Sequence, residues 1–90
     1  MSNPYKTKTL LNKAQRKAKK LGVKVKLSTR KNKKLDVFKN NKKVGSIGDI
    51  RYSDFNIHKD KKRRMLYKKR HNKYRNKVGT NSYYADKILW

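Results

Sequence analysis

Between positions 59 and 77, eleven of nineteen residues are Lys or Arg, and Asp60 is the single acid. A segment this cationic repels itself, so it folds only where packing or a bound anion offsets the repulsion. The run reads KDKKRRMLYKKRHNKYRNK. Apolar and aromatic residues recur inside it. Tyr67, His71, Tyr74 and Val78 follow the i, i+4, i+7, i+11 spacing of one helical face, and Met65 and Leu66 widen that face. Ser53 or Asp54 is placed to cap upstream, Asp60 lies near the positive helix start, and Gly79 suits a left-handed helix end. The pattern predicts a long helix with one apolar edge and a cationic remainder. Solvated helix faces usually mix signs, whereas this one points to contact with a polyanion.

The rest of the chain deepens the imbalance. The formal net charge is +24, there are five Asp and no Glu, and hydrophobic residues make up 33% of the 90 residues. On charge and hydropathy alone such a chain stays disordered when free. Its apolar residues nevertheless fall in periodic clusters, and the length bounds them to one domain with a modest core. Disulfides and thiolate metal sites are excluded because there is no Cys. No apolar run has membrane-spanning length and no signal-peptide core is visible. The expected location is therefore the cytosol, the nucleus or a particle assembled there.

Residues 1–8 lack periodicity and contain Pro4, which predicts a flexible arm with Tyr5 packing or stacking; residues 9–90 form the domain. From Thr9, the residues Leu10, Leu11, Ala14, Ala18 and Leu21 keep one helical face, Lys13, Arg16, Lys17, Lys19 and Lys20 take the rest, and Gly22 stops the helix. Residues 23–27 alternate strictly, with Val23, Val25 and Leu27 on one face and Lys24 and Lys26 on the other, which predicts a half-buried strand. Residues 28–33 read as a polar turn and 35–39 as a second strand. Asn40 and Asn41 suit a tight hairpin turn, because Asn tolerates positive φ. Residues 42–47 then form a third strand, in which Val44 and Ile47 have opposite parity, so Gly45 marks a bulge or a close backbone approach. Residues 49–55 are a connector that Arg51, Tyr52 and Phe55 would anchor. The ending, TNSYYADKILW, predicts a short helix capped by Asn81 or Ser82. Its apolar residues must dock, either back on the domain or into a neighbouring protein. The expected architecture is α+β: N-terminal helix, three-stranded antiparallel meander, long basic helix and short C-terminal helix.

Catalysis is not expected. Asp36, Asp49, Asp54, Asp60 and Asp86 are scattered without a metal-ligand pattern, and His58 and His71 lie thirteen residues apart. His58 reads as a surface residue and His71 as part of the helix edge. Residues 45–49 are glycine-rich after a strand but lack the phosphate-loop Lys-Ser/Thr and the dinucleotide fingerprint, so they read as a strand-end turn. No metal or cofactor is implied. The predicted anion contacts are Lys61, Lys62, Arg63, Arg64, Lys68, Lys69, Arg70, Lys73 and Arg75, with Lys24, Lys26, Lys42 and Lys43 on the sheet. Lys outnumbers Arg 22 to 7, which favours non-specific phosphate contact over bidentate base reading. Tyr67 and Tyr74 have helical spacing, which fits core packing better than base stacking.

The stretch Val44-Gly45-Ser46-Ile47-Gly48-Asp49, the turn Tyr52-Ser53-Asp54-Phe55, the pair Arg70-His71 and the ending Ser82-Tyr83-Tyr84-Ala85-Asp86-Lys87-Ile88-Leu89-Trp90 together resemble a family of small lysine-rich proteins of unassigned function. That family belongs to large nucleocytoplasmic DNA viruses of the mimivirus and algal-virus kind. The resemblance covers roughly residues 23–90, and the YYADKILW ending is its most specific part. It implies a protein carried in a virion, present in the host cytoplasm or viral factory during assembly, and implies no catalytic residues. Two functions fit that setting. One is non-specific binding of nucleic acid, double-stranded DNA above all. The other is a minor capsid or cement protein, a candidate homo-oligomer within an assembly. There the basic surfaces bridge acidic capsid proteins or the anionic inner membrane, and Tyr83, Tyr84, Ile88, Leu89 and Trp90 plug into a partner.

Overall fold

A computed structural model describes residues 3–90. After a 3-10 turn at Pro4–Lys6 come helix α1 (Lys8–Lys20), strands β1 (Lys24–Leu27), β2 (Lys33–Lys39) and β3 (Lys42–Asp49), a single-turn helix α2 (Phe55–His58), helix α3 (Lys61–Arg70) and helix α4 (Asn81–Ile88). The fold is α+β, with the strands in the order β1-β2-β3 and both pairings antiparallel. The register sets Val25 opposite Val37 and Leu35 opposite Ile47, so these apolar side chains share one face. They join Ala14 and Ala18 of α1 and Tyr84, Ile88 and Leu89 of the C-terminal segment in one core.

The turn chemistry acts as the sequence predicts. Asn40 and Asn41 both have positive φ, at 52° and 65°, as the tight β2–β3 turn requires. In β3, Val37 pairs with Gly45 but Phe38 with Lys43, so Val44 is an extra, unpaired residue. A Cβ on Gly45 would collide with the side chain of Asn81, so the glycine lets the start of α4 approach the strand.

Two expectations are corrected. The first is the flexible arm at 1–8, of which residues 1 and 2 lie outside the described residues. In the remainder, Tyr5 is fully buried, and Asn3 caps the first turn while donating to the Lys34 carbonyl at 2.7 Å. The aromatic ring supplies the burial that periodicity could not signal in so short a segment. The second is the extent of the basic helix. It ends at His71, and residues 71–77 continue as a string of turns closed by bonds such as Tyr74 N to His71 O at 3.0 Å. Tyr74 and Val78, expected on the packed edge, are exposed, Val78 by 77%. Asn72 and Asn76 are weak helix formers, and no apolar surface receives that edge.

Candidate nucleic-acid interface

The five carboxylates show which positive charges are left over, because each of them is engaged by the fold. Asp54 caps α2, accepts from the Lys34 ammonium at 2.7 Å and from the Tyr5 hydroxyl at 3.0 Å, and is itself buried. Asn56 extends this network by donating to the Tyr5 oxygen at 3.0 Å and to the Ile88 carbonyl at 2.8 Å, and by accepting from Lys17. One polar cluster thus joins β2, the N-terminal turn, α1, α2 and α4. Burial, together with Asp54 alongside, pushes the Tyr5 hydroxyl far above its usual range. Burial next to Lys13 and Arg64 pulls the Lys17 ammonium down to about 8.

Asp36 is held by Ser28 Oγ at 2.6 Å, Ser46 Oγ at 2.7 Å and Lys43 at 3.3 Å. Burial pushes its carboxyl up, but these hydrogen bonds prevail and hold it at about 2. Arg51 grips Asp49 at 2.7 Å. Asp60 caps α3 by accepting from the Lys62 and Arg63 amides at 3.0 and 3.2 Å. Asp86, only 1% exposed, meets Lys68 at 3.2 Å, Lys87 at 3.3 Å and Arg75 at 3.8 Å, at ion-pair distance without well-directed hydrogen bonds. Six of the 29 Lys and Arg side chains touch a side-chain carboxylate; among the described residues the others touch none.

Helix α3 sorts its cations by position. Arg64 and Lys68, four residues apart, turn inward: the Arg64 Nε donates to the Trp90 carbonyl at 2.8 Å and its guanidinium lies 4.9 Å from the Phe55 ring centre, while Lys68 reaches Asp86. Arg63 and Arg70 line a cavity beside the helix. Lys61, Lys62 and Lys69 are exposed, with no carboxylate or ring partner among the described residues. Lys73, in the turns that follow, lies 5.4 Å from the Tyr74 ring centre. Arg75 is drawn back to Asp86. The predicted set therefore divides: Arg64, Lys68 and Arg75 hold the fold, and Lys61, Lys62, Arg63, Lys69, Arg70 and Lys73 are available to an external anion.

The sheet lysines form a separate group. Lys24 and Lys43 both pair with Phe38 across the sheet, and Lys26 pairs with Asp36, so the three share the face opposite the core. Lys26 sits 5.5 Å from the Phe38 ring centre and Lys43 is spent in part on Asp36. Lys42 is exposed next to the hairpin turn. Among the described residues no ion pair or hydrogen bond links these lysines to α3.

The C-terminal segment takes the first of its two expected dockings, back on the domain. Tyr84, Ile88 and Leu89 are buried in the chain's own core, which leaves them unavailable as anchors for a partner. Trp90 lies on Tyr67 with ring centres 4.2 Å apart and planes 6° from parallel; His71 stacks beyond Tyr67 at 4.2 Å, and His58 tilts against Trp90 at 5.3 Å. Burial, with Asp86 nearby, pushes the Tyr67 hydroxyl up to about 12. Tyr83, beside Lys87, is half-buried. Thr80, rather than Asn81 or Ser82, caps α4 by accepting from the Tyr83 amide at 3.2 Å. Nor is His58 a simple surface residue: its Nδ1 accepts from the Asp60 amide at 2.9 Å, and burial, then Arg63, lowers its basicity. Tyr52, expected as an anchor, is 70% exposed, whereas Arg51 folds back on Asp49, the last residue of β3, and so ties the connector to the sheet's end.

Residues 23–71 match a family of unknown function, DUF5754. The chain belongs to this family. The matched segment opens beside β1 and closes at the residue that caps α3, so it holds the whole sheet and the basic helix. No curated protein and no solved structure matches the chain. Among the described residues no helix is long and apolar enough to cross a membrane, and no cluster of His and Asp is placed to hold a metal ion.

The sequence pattern missed two features. One is Asp86, a lone acid in an apolar ending, which gathers cations from α3 and the following turns. The other is the cavity shared by α3, residues 49–54 and the C-terminus. Neither leaves a periodic signal, because both are assembled from distant positions.

Proposed function

We propose that this DUF5754 protein binds nucleic acid through the phosphate backbone, largely without sequence preference, using the cations that α3 and the following turn present to solvent. The supporting observation is that every side-chain carboxylate is engaged by partners within the chain, which leaves the formal net charge of +24 without an internal counter-charge. Each Lys or Arg brought to a phosphate releases a condensed counterion, and duplex DNA is dense in phosphate. The Lys majority suits contact with a charged backbone of any sequence. No catalytic role is assigned to the chain. The setting, a particle of a large DNA virus, is carried by the sequence resemblance, in particular by the closing residues 82–90.

The cement-protein alternative uses the same charges but needs apolar anchors to supply affinity. Its proposed anchors Tyr84, Ile88 and Leu89 are turned inward, which favours the nucleic-acid reading. The test is the affinity of the full chain for duplexes of unrelated sequence, measured by fluorescence anisotropy across a salt series. Steep, parallel plots of log affinity against log salt are expected. A shallow slope, or strong preference for one sequence, contradicts the proposal.

A further inference from the structure

A cavity of about 460 Å³ lies where α3, residues 49–54 and the C-terminus meet. Its volume falls in the range of small-molecule sites, roughly 300–1,000 Å³. Helix α3 contributes Arg63, Leu66 and Arg70, which lie three and four residues apart on one face. The connector contributes Tyr52 and Ser53, and the C-terminus Leu89 and Trp90.

Charge and shape at this cavity are complementary to one kind of molecule. Its two acids are already occupied: Asp54 by Lys34 and Asp49 by Arg51, both at 2.7 Å. Arg63 and Arg70 touch no carboxylate among the described residues, so the local field is positive and two guanidinium forks are available. The Ser53 side chain makes no hydrogen bond among the described residues. Beside these polar groups lie Leu66 and Leu89. At the rim, Tyr52 is 70% exposed, and its ring makes no aromatic or cation contact among the described residues. A cationic pocket with an apolar lining and an uncommitted aromatic ring suits a ligand with a strong anion at one end and a flat apolar body at the other.

We propose that this cavity is a nucleotide site: Arg63 and Arg70 hold the phosphate and Tyr52 stacks on the base. The nucleotide is free or is an unpaired unit of a strand. In the second case the inference deepens the phosphate-backbone reading and rests on it. A base within a duplex is stacked and paired and cannot enter, so an unpaired strand gains a contact that a duplex lacks.

The chain contains one tryptophan, Trp90, and it lines the cavity, so its fluorescence reports occupancy. The experiment titrates the full chain with thymidine 5′-monophosphate, inorganic pyrophosphate, an eight-residue thymidine oligonucleotide and a duplex of equal length, with duplex binding followed separately by anisotropy. Saturable change with the monophosphate and the oligonucleotide, but not with pyrophosphate, is expected. Equal affinity for the two nucleotide probes identifies a free nucleotide as the source; tighter binding of the oligonucleotide identifies a strand. Tyr52→Ala weakens nucleotide binding by about tenfold or more while leaving duplex anisotropy within about twofold. Leu66→Tyr, which narrows the cavity from a half-exposed position without changing charge, does the same. A response to pyrophosphate equal to that of the monophosphate overturns the nucleotide site. So does a silent Trp90 with duplex binding intact, and that result leaves the backbone reading standing. Failure of the duplex to bind removes the backbone reading, while the monophosphate arm still decides the cavity.

Discussion

Helices α1 and α3 are both rich in lysine and neither contains an acid, yet the fold uses them in opposite ways. In α1 the apolar residues are spread along one stripe, and Ala14 and Ala18 are fully buried, small enough to bring the helix close to the sheet. Its cations occupy the other half. In α3 seven of ten residues are Lys or Arg, the apolar residues are bunched at Met65, Leu66 and Tyr67, and no residue is buried. Such a helix is unstable alone: it is short, its like charges repel at i, i+4, and Lys61, Lys62 and Arg63 sit at the positive end of its dipole. It is held from outside, by the Asp60 cap, the Asp86 carboxylate and the Trp90 stack. At similar charge, the spacing of small and apolar side chains separates a scaffold helix from a presented one.

The largest expected effect lies on the scaffold side. Asp54→Asn leaves the Lys34 ammonium, 2% exposed, without its counter-charge, and stability falls by about 3–5 kcal/mol in urea titration. Ala18→Leu overfills the contact between α1 and the core and costs about 1–3 kcal/mol by the same measurement. A loss near zero there would show that α1 does not pack as closely as described. Acid tests the sheet face. Asp36 is held at about 2, below its ordinary 3.8, so its contribution to stability is complete above about pH 4 and is lost as pH falls towards 2. Asp49 behaves in the same direction, so the comparison needed is with Asp36→Asn, whose urea midpoint falls less steeply over that window. The smallest effect belongs to α3: Met65→Gln, at a position 62% exposed, changes stability by no more than about 0.5 kcal/mol. A large loss would mean that the Met65 face of α3 is packed rather than presented to solvent.

Much of this division is legible in sequence. The stripe from Leu10 to Leu21, the alternation at Val23, Val25 and Leu27, the Asn40-Asn41 turn and the Gly45 irregularity are local patterns with local causes, and the structure follows them. The buried Tyr5 and the inward-facing Trp90 are not local: each is one aromatic residue whose place is set by partners far along the chain. The basic helix reads too long because Tyr74 and Val78 continue the apolar spacing without a surface to receive them. For the site, the type and position of the cations are readable, but the engagement of Arg64, Lys68 and Arg75 is not. It depends on the chain bringing Trp90 and Asp86 beside α3.

The most direct measurement compares the salt dependence of duplex binding for two variants of equal charge. One replaces Lys61, Lys62, Lys69 and Lys73 by Gln; the other replaces Lys8, Arg16, Lys19 and Lys20 of α1, all exposed. If α3 and the turn after it carry the phosphate contacts, the first variant lowers the log–log slope by about three to four units, and the second by less than about one. Equal reductions in both would show that total charge, not the presented helix, governs binding, and would contradict the account.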